Sequence, residues 1–240
     1  MWRRKSTRRA AQWKSGARLA AVGVSLMLMA GCGARPSAPG QAVTIARPPG
    51  TTQFALDTNA SQIWLLLQAD GPMSKIGHTH VITTHGLQGS VWLHPQADHS
   101  GCEFELPVDS FVVDDPKERA AAGEEYAEPL DQEARAGTRE HMLGDRQLDA
   151  AHYPKVSLQC QHLTGGSGEI TVELKITVRD HASSLSVPVT WQRNGSTLQA
   201  EGVFSFTQTG LGLEPYSLLF GALKVRDEIR ARFRLVARTT

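Results

Sequence analysis

Three histidines fall close together: His78 and His80 are two residues apart, hence on one face of any strand that carries them, and His85 follows shortly after. Three imidazoles in one region could ligate zinc or copper. An HxH pair alone is a weak metal signal, since a polar rim or a hydrogen-bonded turn uses the same residues, and no metal or other cofactor is expected. His78 and His80, together with Arg139, could instead orient the polar head of a bound ligand. Cys102 and Cys160 are the only cysteines after Cys32 and could pair in an oxidising compartment. Cys102 sits near the far end of its strand and Cys160 nearer the middle of its own, a poor register, so the bridged and free forms both stay open. There is no Gly-x-Ser-x-Gly elbow, HExxH helix, phosphate-cradling glycine loop or pair of carboxylates at a strand end. No catalytic residue is assigned, and the chain is not expected to be an enzyme.

Such side chains need elements to position them, and the segment from Arg139 to Leu163 shows which. It reads as the end of a helix, a polar turn punctuated by Tyr153-Pro154, and a strand in which Val156, Leu158 and Cys160 alternate with Lys155, Ser157 and Gln159. Downstream the alternation repeats: Ile170, Val172, Leu174 and Ile176 share one parity, as do Val187, Val189 and Trp191 after them. Asn194-Gly195 is a hairpin signal. Ala200, Gly202, Phe204 and Phe206 then align on one face, and Ile229, Ala231 and Phe233 on one face of the last strand. Pro188 interrupts its strand, where a bulge or break is expected. Upstream, strand regions lie at Phe54 to Asp70, Lys75 to Pro95 and around Phe104 to Val108, with Ile63 to Leu67 apolar on both parities and so either covered on both faces or bulged.

Between Asp114 and Gly144 the pattern turns helical. Asp114 and Asp115 before Pro116 make a helix start, Pro129 interrupts, Asp131 and Arg135 form an i,i+4 pair, and the charges read as a solvated face. About eight antiparallel strands with this helical insertion between strands three and four favour an all-β closed barrel over an open sheet with two unpaired edges. Such a barrel either fills its interior or holds one ligand. Small residues at Ala200, Gly202 and Ala231 favour a lumen, whose lining is expected from Val156, Leu158, the inward residues from Ile170 to Ile176, Val187, Val189, Ala200 to Phe206 on alternate positions, Ile229 and Phe233. A filled barrel serving as an interaction module, and a metal-handling protein built on His78, His80 and His85, are the alternatives.

Residues 1–31 have the basic then apolar layout of an export signal, and Leu28-Met29-Ala30-Gly31-Cys32 resembles a lipobox, with Cys32 the lipidated residue. Residues 32–52 read as a lipid-anchored flexible tether, and 53–238 as the barrel domain. The expected location is the cell envelope, anchored to the outer membrane and facing the periplasm. After Cys32 the chain carries 18 Lys+Arg against 24 Asp+Glu, a net of −6, which disfavours nucleic acid as a partner.

The runs Leu148 to Val156, Leu174 to Asp180 with Val187-Pro188-Val189, and Gln208 to Leu213, together with Ile76 to His80 and Val113 to Pro116, resemble the YceI-like family. The resemblance implies a lipocalin-like barrel that holds polyisoprenoid or similar chains. Asp180 stands where that family usually has glycine, and Gly210-Leu211 where it usually has Asp-Phe, so no polar ligand contact is carried over. The expected function is non-catalytic binding of an isoprenoid or acyl chain, with the membrane as a partner through the anchor and a homodimer left open.

Overall fold

The computed structural model describes residues 47–240. The export segment, the Cys32 lipobox and the tether up to residue 46 lie outside the described residues. In chain order the strands are β1 (Thr52–Leu56), β2 (Gln62–Leu67), β3 (Ala69–Asp70), β4 (His80–Thr84), β5 (Gln88–Leu93), β6 (Gly101–Pro107) and β7 (Val112–Val113). Helices α1 (Pro116–Ala122) and α2 (Gln132–Leu143) follow, then β8 (Lys155–Gly165), β9 (Glu169–Val178), β10 (His181–Asn194), β11 (Thr197–Thr207), β12 (Ser217–Leu218), β13 (Leu223–Val225) and β14 (Glu228–Thr239).

The ring runs β1-β5-β6-β8-β9-β10-β11-β14 and closes because β14 pairs back onto β1. Every pairing is antiparallel, so the expected all-β barrel of eight strands is what the chain forms. β14 is long enough to hold two neighbours on one edge, β1 along its C-terminal end (Phe54 opposite Thr239) and β2 along its N-terminal half (Arg230 opposite Leu66). β1 and β2 are therefore halves of one bent wall strand, and β2-β4-β7 continue the wall as β1-β5-β6 do. At the first bend Asp57 accepts a hydrogen bond from the Ala60 amide at 3.3 Å. At the second, a Cβ on Gly86 would lie 2.2 Å from Ser110 Oγ, so only glycine lets the two bends nest.

The doubly apolar Ile63 to Leu67 run is covered on both faces. Ile63, Leu65 and Leu67 pack on the interior core, while on the outside the Trp64 indole donates to Glu118 of α1 at 2.6 Å and lies under the Arg232 guanidinium at 4.2 Å. Helix α1 starts as expected, Asp115 accepting from the Lys117 and Glu118 amides with Pro116 in the first turn. Most charges of the insertion are solvated as expected, Lys117, Glu124, Glu125, Glu128, Glu133 and Glu140 being exposed, but two on α1 face the wall: Arg119 is buried, and Glu118 accepts from Trp64 and Gln62. Nor does Asp131 pair with Arg135. Its carboxylate caps α2 through the Ala134 amide at 2.8 Å, leaving Arg135 Nε to reach only the Asp131 backbone oxygen at 3.3 Å.

One further expectation needs correcting, and the one at Pro188 holds on one strand edge only. Pro107 of β6 pairs with Lys155 of β8, and Cys102 and Cys160 are equidistant from that pair, so they face each other and form a disulfide with Cα atoms 4.9 Å apart. The length of the helical insertion leaves that register untouched, which is why the argument for a poor register fails. At Pro188 the ladder to β9 runs on without a bulge, Pro188 standing opposite Thr171, whereas the ladder to β11 ends at Thr190–Glu201. The missing N–H therefore breaks one edge only.

Candidate functional site

Inward residues of the eight wall strands converge on a lumen that is packed at one end and open at the other. At the packed end Val108, Phe111, Val178 and Leu211 are buried, and Met142 and Leu148 from the helical insertion close over them. At the other end the β5–β6, β8–β9 and β10–β11 turns leave a mouth. Between them lies a cavity of about 760 Å³, inside the range of ligand sites. Its wall explains why inward side chains such as Leu158, Leu174 and Phe206 are only half-buried: their free surface faces the lumen.

All the expected lining residues border this cavity except Gly202. The reason is local. A Cβ on Gly202 would lie 2.4 Å from the Pro188 carbonyl oxygen and 2.7 Å from Phe233 Cζ, so the Phe233 ring occupies the place above Gly202 and is itself the lining. The lumen is not filled, although Ala231 is not what leaves it open, since neighbours bury that residue to 2% exposure. Sequence reasoning missed Leu65, Val91, Phe104 and Leu106, which alternate like the others but lie on the bent strands, and Met142 and Leu148, which carry no strand signal.

The polar residues singled out from sequence are placed elsewhere. His80 Nδ1 lies 2.7 Å from Asp114, His85 Nδ1 2.7 Å from the Ser61 carbonyl oxygen, and His78 is exposed. Among the described residues no group of three or more His, Cys, Asp or Glu is placed to hold a metal ion. Arg139 donates to the Asp109 carbonyl oxygen at 2.7 Å. His78, His80 and Arg139 do not border the cavity. Instead His80 belongs to a buried network that no motif marked. The fully buried Asp114 carboxylate accepts from His80, from the Val81 amide at 2.8 Å and from Arg119 at 2.6 Å. Burial pushes the Asp114 carboxyl up, and the His80, Val81 and Arg119 hydrogen bonds outweigh that and hold it below the usual carboxylate range.

The mouth has its own chemistry. Gly50, Thr52, His94, Ser100, Thr164 and Arg193 border it, and among the described residues no Asp or Glu lines the cavity. Just inside stands Trp191, whose indole N–H is buried without an acceptor.

A family model described as the YceI-like domain matches residues 54–237. Among solved structures, Burkholderia cenocepacia BcnA is similar at 18% identity, covering 75% of this chain and 98% of that one with a TM-score of 0.56. A structure described as a polyisoprenoid binding domain from Saccharophagus degradans implicated in plant cell wall breakdown is similar at 12% identity, covering 78% and 98%, with a TM-score of 0.53. No curated protein matches the chain. At these identities the two structures speak for the fold.

Proposed function

The chain belongs to the YceI-like family, and on that premise we propose that it is a non-catalytic binding protein whose barrel takes up a long apolar chain, isoprenoid or acyl. One observation carries the reading: an apolar-walled cavity of about 760 Å³ inside the barrel. The polyisoprenoid binding described for the Saccharophagus degradans domain supports an isoprenoid as the first chain to test. Burial is the mechanism. Each methylene moved from water into the wall contributes about 0.8 kcal/mol, so a chain of about fifteen gains about 12 kcal/mol before the costs of immobilising it. Affinity on that scale needs few polar contacts, which fits a lumen lined by side chains that offer almost none.

Residues 1–32 support a lipoprotein held to the envelope through Cys32, outer-membrane anchored and facing the periplasm, where the protein would carry or sequester its ligand. The Cys102–Cys160 disulfide fits an oxidising compartment. Native mass spectrometry of protein purified without added lipid, followed by organic extraction, tests the reading. A discrete apolar adduct is the expected result. A bare mass, together with refusal of both isoprenoid and fatty-acid probes, would overturn it. The same spectrum reads whether the protein is a homodimer.

A further inference from the structure

Arg193 occupies an inward position near the end of β10, two residues from Trp191 on the same face of the strand. Its guanidinium lies over the Phe54 ring at 5.1 Å, and its Nε donates to the Gly195 carbonyl oxygen at 3.1 Å. Among the described residues it makes no ion pair. Asp98 and Glu169 belong to the same rim, but neither borders the cavity. Arg232 also contributes to the lining, from an outward position with its guanidinium over Trp64, so it is committed to the outer face.

Beside Arg193 the mouth offers two more donors. The Gln96 amide donates to His94 Nδ1 at 3.0 Å, which puts the ring proton of the neutral imidazole on Nε2. Among the described residues Trp191 Nε1 has no acceptor, and a buried donor left unpaired is costly. An open end that brings a cation and unspent donors to the cavity lining, with the rim carboxylates of Asp98 and Glu169 outside that lining, is complementary to negative charge. The closed end has a cation of its own, Arg179, whose Nε is also buried without a partner among the described residues, but Arg179 does not border the cavity, and Gln147 and Gln208, which do, both donate to backbone oxygens of the protein.

Resting on the lumen reading, we propose that the mouth seats an oxyanion, carboxylate or phosphate, at the head of the chain that fills the barrel. Arg193 is its ion partner and Trp191 Nε1 supplies a donor on the lumen side. The ligand is thereby oriented, tail toward Leu211 and head toward the β10–β11 hairpin.

The test uses delipidated protein and four probes in two chain-matched pairs: palmitate with hexadecanol, and geranylgeranyl phosphate with geranylgeraniol. The protein is expected to bind at least one anionic probe about ten- to a hundred-fold more tightly than its alcohol, the difference a charge-assisted hydrogen bond makes. Which pair shows the preference tells a carboxylate source from a phosphate source. Arg193→Gln is expected to remove most of that preference and Trp191→Phe part of it, with circular dichroism unchanged in both. Equal affinity for acid and alcohol, or a preference that survives Arg193→Gln, overturns the head assignment while the lumen reading stands. An unchanged preference in Trp191→Phe removes that residue from the site. Failure of all four probes overturns the lumen reading itself.

Discussion

Asp114 is fully buried with a positive φ of 54°, a conformation that a non-glycine residue adopts at a cost and that here aims its carboxylate at three donors. His80 and the Val81 amide come from β4 and Arg119 from α1, so one side chain ties the helical insertion to the barrel wall. Replacing Asp114 by Asn leaves Arg119 buried without a counter-charge, and the loss is expected to be about 3–5 kcal/mol by chemical denaturation. The pH dependence follows from the same contacts. Because the folded carboxyl titrates below its ordinary value of 3.8, its contribution to stability is complete above that value and disappears as pH falls through the lower folded one. Urea midpoints measured from about pH 6 downward are expected to drop below about pH 4, and the D114N variant is expected to lose that part of the slope. In the sequence this residue looked like a second helix cap. Nothing in the residue types distinguishes Asp114 from Asp115, since what separates them is β4, distant in sequence, and the direction in which α1 turns Arg119.

Elements were more legible than the contacts between them. Alternation marks each wall strand because one face meets an apolar interior and the other water, and that pattern is written in consecutive residues such as Ile170 to Val178. Register is not written there. The Cys102–Cys160 bridge depends on Pro107 meeting Lys155 across an insertion whose length says nothing about the pairing. The bends at Asp57 and Gly86 likewise arise from ring closure, which makes three of the wall strands turn while the others stay whole. Two outcomes belong to this scale. Thiol counting on denatured, unreduced protein is expected to find no free thiol at Cys102 or Cys160, and replacing both with Ser is expected to lower stability by about 2–4 kcal/mol in denaturant titrations. Gly202→Ala is expected to cost about 1–3 kcal/mol, because its methyl group would have to displace either the Pro188 carbonyl or the Phe233 ring.

The molecule as a whole spends its hydrophobic residues unusually: it closes a wall around space instead of filling it. An interior atom facing a void lacks partners on that side, so an empty lumen of about 760 Å³ leaves stabilisation unrealised that an occupant can supply. Anything that binds the folded barrel and not the unfolded chain raises its stability, by about 2.7 kcal/mol at a free concentration a hundred times Kd. For a domain of this size that corresponds to about 5–10 °C in Tm. Thermal unfolding is therefore expected to shift down on delipidation and to recover on adding back the extracted chain. Leu174→Trp separates occupancy from a general effect on the fold. Leu174 points into the lumen from β9, where a larger side chain meets space rather than packed neighbours, so the variant is expected to fold with a Tm at or above that of the empty protein. It is also expected to show no ligand-induced rise, because the indole takes the volume the chain needs. A Leu174→Trp protein that still gains the full shift would place the ligand outside the barrel, and the half-buried inner wall would then need another explanation.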